Sequence, residues 1–217
     1  LNQYRSIIER HCQKLLDDIP INISSGISFT QEPIIDTAIT ILQLAHHKIP
    51  FDHISLLLRS PFIAGGETER QQRALLDMQW RKQNRGDFSR QELIHSYTIR
   101  GCSILKSHLT TYPTVQPSQQ KSPIEWAEFF CNQLSALGWP GERSLNSREY
   151  QAVAQWQNLL IQFSQLALIK KQMNHQQALS QLIKMAAAIL FQHQTEDSAI
   201  QILGLLETTG LPFTHSW

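Results

Sequence analysis

A chain of 217 residues that is 41% hydrophobic and 17% charged can bury one sizeable core or two small ones, and this composition excludes disorder throughout. Its formal net charge of +1 excludes a nucleic-acid wrapper held by bulk electrostatics, so any nucleic-acid contact has to come from a local basic patch. The cysteines Cys12, Cys102 and Cys131 are odd in number and lack CxxC spacing, which indicates neither a disulfide framework nor a zinc knuckle and fits a reducing compartment.

In chain order, Tyr4, Ile7, Ile8, Cys12, Leu15, Leu16 and Ile19 recur at spacings of three and four, which predicts an amphipathic helix over 4–18 closed by Pro20. A strand-like stretch, Ile21 to Phe29, follows. Pro33 occupies an N1 position, and the series Ile34, Ile35, Ala38, Ile39, Ile41, Leu42 and Leu44 predicts a buried helix over 33–47. Asp52 is the expected N-cap of a short helix ending near Arg59. Beyond a turn from Pro61 to Gly66, residues 67–83 are expected to be helical, and Ser89 with Glu92 forms a capping box opening another helix, which Arg100-Gly101 interrupts.

The segment 111–121 is rich in Pro, Ser, Thr and Gln without an apolar period, and is expected to be an internal linker or mobile loop. Ser122-Pro123-Ile124-Glu125 is a second capping box, and Gly138 supplies the left-handed cap that ends its helix. Asn146 and Glu149 cap a longer helix reaching about Leu168. Asn174 opens the last helix, through Met185 and Leu190, and Ala199 to Leu206 is apolar and strand-like. The expected fold class is mainly α, a multi-helix domain with short strands near both ends. No repeat appears at solenoid periods.

No apolar run approaches the roughly 20 residues of a membrane span, and no signal-peptide pattern opens the chain, so no membrane partner and a cytoplasmic location are expected. The chain begins at Leu1 without a methionine and stops at Trp217 while an apolar pattern is still running. Natural termini usually become polar, so a piece of a larger protein is expected.

Candidate chemistry is sparse. His46, His47 and His53 lie close in sequence, but adjacent helical histidines point to different faces and cannot both hold one ion, so no metal site is expected. There is no GxxxxGK(S/T) phosphate loop, no nucleophile elbow and no carboxylate-lysine nuclease pattern, so no catalytic and no cofactor-binding residue is assigned. Arg81, Lys82, Arg85, Arg90, Arg100 and Lys106, interleaved with Trp80, Phe88 and Tyr97, are what phosphate contacts with base stacking would use. Asp77, Asp87 and Glu92 dilute that charge, and a solvated helix face accounts for the same residues.

Four further segments carry a resemblance. Ile200 to Phe213 resembles motif V of the UvrD/RecB-type superfamily I helicases, matching its V-x-I-L-T-I-H-K-A-K-G-L-E-F frame at Ile202, Leu203, Gly210, Leu211 and Phe213. Ile19-Pro20 with Gly26, Ser28, Phe29 and Ile34 is similar to the family's I-P-Y-x-V-x-G-G-x-S-F-F-x-x-x-E-I segment, and Leu57-Leu58-Arg59-Ser60-Pro61-Phe62 looks like the L-L-R-S-P-L/F turn of RecB- and AddB-like proteins. Leu137 to Ser144 (LGWPGERS), with Glu149-Tyr150-Gln151-Ala152, looks like a group of bacterial probable DNA repair proteins, RecB/AddB-like chains with a C-terminal nuclease domain.

The resemblance implies that residues 1–32 form the edge of a RecA-like 2A domain, 33–198 a helical 2B-like domain and 199–217 a degenerate motif V segment of the 2A domain. It also implies that the two strand regions lie near each other. The departures from the motif are polar: the family's threonine is Gly204, its histidine Leu206, its lysines Glu207 and Thr209, and its ribose-binding glutamate Pro212. Leu206 and Pro212 cannot supply the missing side-chain hydrogen bonds, and Glu207 repels phosphate. The expectation is an inactivated helicase half with no cofactor of its own, ATP and Mg belonging to the parent protein or its partner. Its expected partners are DNA, bound weakly and without sequence preference, the rest of its parent chain, and a helicase subunit. The alternative is a helical protein–protein interaction module that does not bind DNA.

Overall fold

A computed structural model describes residues 5–15, 21–23, 26–45, 49–83, 86–95, 101–192, 200–204, 208, 209, 212 and 214–216. Among them the chain is mainly helical. The helices are α1 (Arg5–Leu15), α2 (Pro33–Gln43), α3 (Phe51–Arg59), α4 (Arg70–Lys82), α5 (Arg90–His95), α6 (Ser103–Thr111), α7 (Pro123–Ala136), α8 (Ser147–Ser164) and α9 (His175–Ala187). The strands are short: β1 (Ile21–Ile23), β2 (Ile27–Ser28), β3 (Ile49–Pro50), β4 (Asp87–Phe88), β5 (Gln120–Lys121), β6 (Met173–Asn174), β7 (Leu190–Phe191) and β8 (Ile200–Ile202).

The axis of the core is α2, buried on nearly every side because its turns carry Ile34, Ile35, Ala38, Ile41 and Leu42 with hardly a polar face. It packs against α3, α7 and α8. The buried Thr37 fits because its hydroxyl donates to the Pro33 carbonyl (2.8 Å) and shares a hydrogen bond with Ser60 (3.0 Å). At its start the buried Glu32 carboxylate receives Nε of Arg148 at 3.0 and 3.1 Å, together with Nη2 at 2.5 Å, which ties α2 to the first turn of α8.

Around α7, α8 and α9 an aromatic cluster fills the core. Trp126 stacks on Phe130 at 6.0 Å, meets His175 edge-on at 5.4 Å and donates its indole N–H to the Met173 carbonyl at 2.7 Å. Each such fully buried ring contributes roughly 1.5–3 kcal/mol from area alone. The expected capping boxes are present at Ser122/Glu125, Asn146/Glu149 and Ser89/Glu92, and Asn174 forms one with Gln177.

Several expectations are corrected. α3 starts at Phe51 behind Pro50, whose fixed φ suits the boundary, so Asp52 lies in the first turn rather than at the cap. α4 starts at Arg70, not at 67, because the Glu69 backbone, at φ −106° and ψ 14°, is not helical and stands at the N-cap. The last helix ends at Ala187, and Leu190–Phe191 instead pairs antiparallel with Ile27–Ser28. The segment 111–121 is not a free linker: the buried Tyr112 hydroxyl donates to the Ile41 carbonyl at 2.7 Å, and Gln120–Lys121 pairs with Met173–Asn174. The core runs unbroken across it, from Phe29 to Phe191. Between 50 and 190 the described strands form only two-residue ladders, with no central sheet. β1 and β8 pair in parallel, Ile21 opposite Ile200 and Ile23 opposite Ile202. No helix among the described residues is long and apolar enough to cross a membrane.

Glu69 and Arg73 form a buried pair one helical turn apart, 3.1 Å between Oε2 and Nη2. The carboxylate also accepts the N–H groups of Ile104 (2.5 Å) and Leu105 (3.1 Å) at the start of α6, and the Arg73 guanidinium donates to the Ala64 carbonyl. Burial lowers the Arg73 pKa from its ordinary value, and the Glu69 carboxylate acts in the opposite sense. Glu69→Ala, which leaves Arg73 buried without its counter-charge and uncaps α6, is expected to cost about 3–5 kcal/mol in urea denaturation. Adding Arg73→Met should recover part of that loss. An unchanged midpoint for Glu69→Ala would refute this account of the pair.

Candidate functional site

The basic stretch resolves into residues with different employment. Arg81 lies in the last turn of α4, where its Nε donates to Asp77 at 3.0 Å, its Nη2 to the Ser55 hydroxyl, and its guanidinium lies 5.3 Å from the Phe51 ring centre. It clasps α4 to α3. Arg90 opens α5 and donates to the carbonyls of Leu109 (3.2 Å) and Tyr112 (3.0 Å), capping the negative end of α6. Lys82 and Lys106 are exposed, while Arg85 and Arg100 lie outside the described residues. Trp80 and Phe88 are core residues with ring centres 4.9 Å apart, so they present no face for base stacking, and Tyr97 lies outside the described residues.

Of the motif V segment, the structure describes the strand Ile200–Ile202, half-buried Leu203, Gly204 and Thr208, and exposed Thr209 and Pro212. Leu206, Glu207, Gly210, Leu211 and Phe213 lie outside the described residues. Pro212 offers neither a carboxylate nor a backbone N–H. Of the clustered histidines, His46 and His47 lie outside the described residues, and His53 is half-buried near Asp36, whose carboxyl burial pushes up against the opposing pull of His53. No group of His, Cys, Asp and Glu able to hold a metal occurs among the described residues.

Two of the other resembling segments, Leu57–Phe62 and Leu137–Ser144, meet face to face. Leu57–Phe62 leaves α3 through Ser60, whose hydroxyl accepts the Phe62 N–H at 3.1 Å. Leu137–Ser144 leaves α7 through Gly138, at φ 68°, with Trp139 N–H returning to the Leu134 carbonyl at 3.0 Å. The Ala64 N–H donates to the Leu137 carbonyl (2.9 Å), the Gly65 N–H to Glu142 (2.8 Å), and the Arg143 guanidinium lies 5.2 Å from the Phe62 ring centre. Gly141 adopts φ 102°, and a Cβ there would lie 2.5 Å from the Pro61 carbonyl oxygen, so both the backbone and the contact require glycine.

Arg143 is set by a fork to Glu149, Nη1 to Oε2 at 2.9 Å with Nη2 on Oε1. Burial would raise the Glu149 pKa, but the fork and the Asn146 N–H outweigh it and hold the carboxyl below its ordinary value. In front of this interlock opens a cleft of about 450 Å³ with Leu58, Pro61 and Ala74 in its walls and Arg59, Arg70 and Arg143 around it. A second groove of about 300 Å³ continues from it past Arg59 and Pro61 toward Asp36 and Thr37. Its arginines come from three separate segments, so neither a sequence cluster nor a periodicity announces the cleft. The only sequence signal near it was that two of the resembling segments supply its walls.

Scanning against protein-family models and searching the curated proteins and the solved structures returned no match to this chain.

Glu149→Gln keeps an acceptor that can reach the Asn146 N–H but removes the charge facing Arg143. Because the folded carboxyl titrates below its unfolded value, its stabilisation is present above the unfolded pKa and is lost as pH falls through the folded one. The variant should therefore be less stable than the parent by about 1–2 kcal/mol at pH 7. The gap should close in acid, as read from urea midpoints across that range. A gap that does not change with pH would refute the charge as its source.

Proposed function

We propose that this chain is a non-catalytic helical domain of a RecB/AddB-like helicase-nuclease, acting in DNA repair or recombination by positioning DNA or a partner subunit in the cytoplasm. The observation that carries this reading is the parallel pairing of Ile21–Ile23 with Ile200–Ile202. Parallel neighbours need a long crossover, and here that crossover is an entire helical body. That is the arrangement expected of a helical insertion between two strands of one RecA-like sheet, where the resemblance assigns both strands. The meeting of the Leu57–Phe62 and Leu137–Ser144 segments adds support, because residues that carry the resemblance far apart in sequence touch where Arg143 lies over Phe62 and Gly141 against Pro61. ATP and Mg belong, on this reading, to the parent protein or its partner.

A specific observation favours the rival, a helical protein-interaction module. The amphipathic α1 leaves Ile7 and Leu15 exposed, and Leu168 and Ile169 stand about nine-tenths exposed at the end of α8.

A fluorescence-anisotropy titration with duplex DNA separates the two. DNA binding in the roughly 10⁻⁴ to 10⁻⁶ M range of non-specific complexes, or weaker, is expected, falling steeply with salt. No binding at low salt would leave the interaction module. Steady-state phosphate release from ATP should not exceed a buffer control. Hydrolysis that survives re-purification would overturn the non-catalytic assignment.

A further inference from the structure

We infer that the cleft between α3, α4 and the Gly141–Ser144 loop binds a nucleotide through its phosphate, Arg59 and Arg70 taking the phosphoryl oxygens and the apolar wall taking the flat body of the nucleotide. This deepens the DNA reading above and rests on it for the nucleic-acid strand as a source. The cavity, about 450 Å³, lies within the range of sites that enclose a single small molecule.

What distinguishes this cleft is the state of its guanidinium groups. Arg73, Arg81 and Arg90 are all committed to carbonyls, carboxylates or hydroxyls of the fold. Arg70 is exposed, and its guanidinium makes no hydrogen bond or ion pair with the described residues. Arg59 uses only Nε, donating to the Ser55 carbonyl of its own helix at 3.1 Å. It stands 62% exposed and 4.0 Å from Asp77, so its terminal nitrogens still have donors to offer. Arg143 is held by Glu149 and contributes positive potential rather than free N–H groups. The charges opposing an anion are Glu67 on the rim, Asp77 behind Arg59 and Glu149 behind Arg143.

Two guanidinium forks from different helices can address different oxygens of one phosphate. Leu58, Pro61 and Ala74 provide an apolar wall between them, which a bare inorganic anion would not use and a nucleotide would. A nucleotide meeting this description can arrive free or within a single strand. Duplex bases are stacked away from such a wall, so the strand arm of the test uses single-stranded DNA.

The test titrates the full chain with a short fluorescein-labelled oligothymidylate at low and moderate salt, with unlabelled thymidine monophosphate, inorganic phosphate and poly-glutamate as competitors. Arg59→Ala/Arg70→Ala should weaken oligonucleotide binding about tenfold or more and flatten the log–log salt slope by about 0.7, the value for one phosphate neutralised on a single strand. Arg70→Gln alone, at an exposed residue without partners, should lower affinity while its circular dichroism stays that of the parent. Lys82→Ala/Lys106→Ala should leave binding unchanged. Displacement by thymidine monophosphate supports the free nucleotide as a ligand, and binding of the strand without that displacement supports the strand. If the arginine variants bind as the parent does while the lysine pair loses affinity, the cleft assignment is overturned and DNA binding stands. If the parent does not bind the oligonucleotide, the cleft proposal falls, and the duplex titration decides the DNA reading by itself. Equal displacement by poly-glutamate overturns the phosphate, and equal displacement by inorganic phosphate overturns the role of the apolar wall.

Discussion

The Glu69 carboxylate sits in the protein interior with N–H groups from three directions around it: two from the first turn of α6 and the guanidinium of Arg73. An ionised carboxylate stripped of water is costly, and this one is tolerable because its acceptor sites are filled by charge-assisted and backbone donors. The same guanidinium reaches the Ala64 carbonyl, so one ion pair fixes the relative positions of α4, α6 and the Pro61–Gly66 turn. Gly65 is pinned at that turn from the opposite side by Glu142. The arginine cleft exists because these bonds hold its walls apart at a set distance, and the Leu137–Ser144 loop has a fixed surface to pack on.

Local signals proved the more legible part of the sequence. A capping box needs only residues three apart and a backbone in reach, so Ser122/Glu125 and Asn146/Glu149 identify helix starts without knowledge of the rest of the chain. α2 is equally plain, because a helix apolar on all sides has only one stable surrounding. The illegible features depend on partners remote in sequence. Glu69 and Arg73 at i and i+4 have the spacing of an ordinary surface pair, and nothing nearby says that α6 will cover them. The polar composition of 111–121 suggests a loose connector, yet one hydroxyl, on Tyr112, reaches a carbonyl on α2 and anchors it.

The basic residues show the same division. In sequence Arg81 and Arg90 look like phosphate ligands because charge is all a sequence displays, while the structure binds them to Asp77 and to the carboxyl end of α6. Arg59, Arg70 and Arg143 look unrelated and converge on one cleft. A cluster of like charges along a helix therefore does not say which of its side chains the fold has already engaged.

The parallel ladder of β1 and β8 also orders events in time. Ile21 and Ile200 are roughly 180 residues apart, and closing so long a loop in an unfolded chain costs roughly 4–5 kcal/mol of entropy, more than a three-residue ladder returns. Once the helices between them have condensed on α2, most of that distance is already spanned and the closure becomes cheap. The ladder is then the last contact to form and the first to open, so hydrogen exchange at Ile21–Ile23 reports when folding of the helical body is complete.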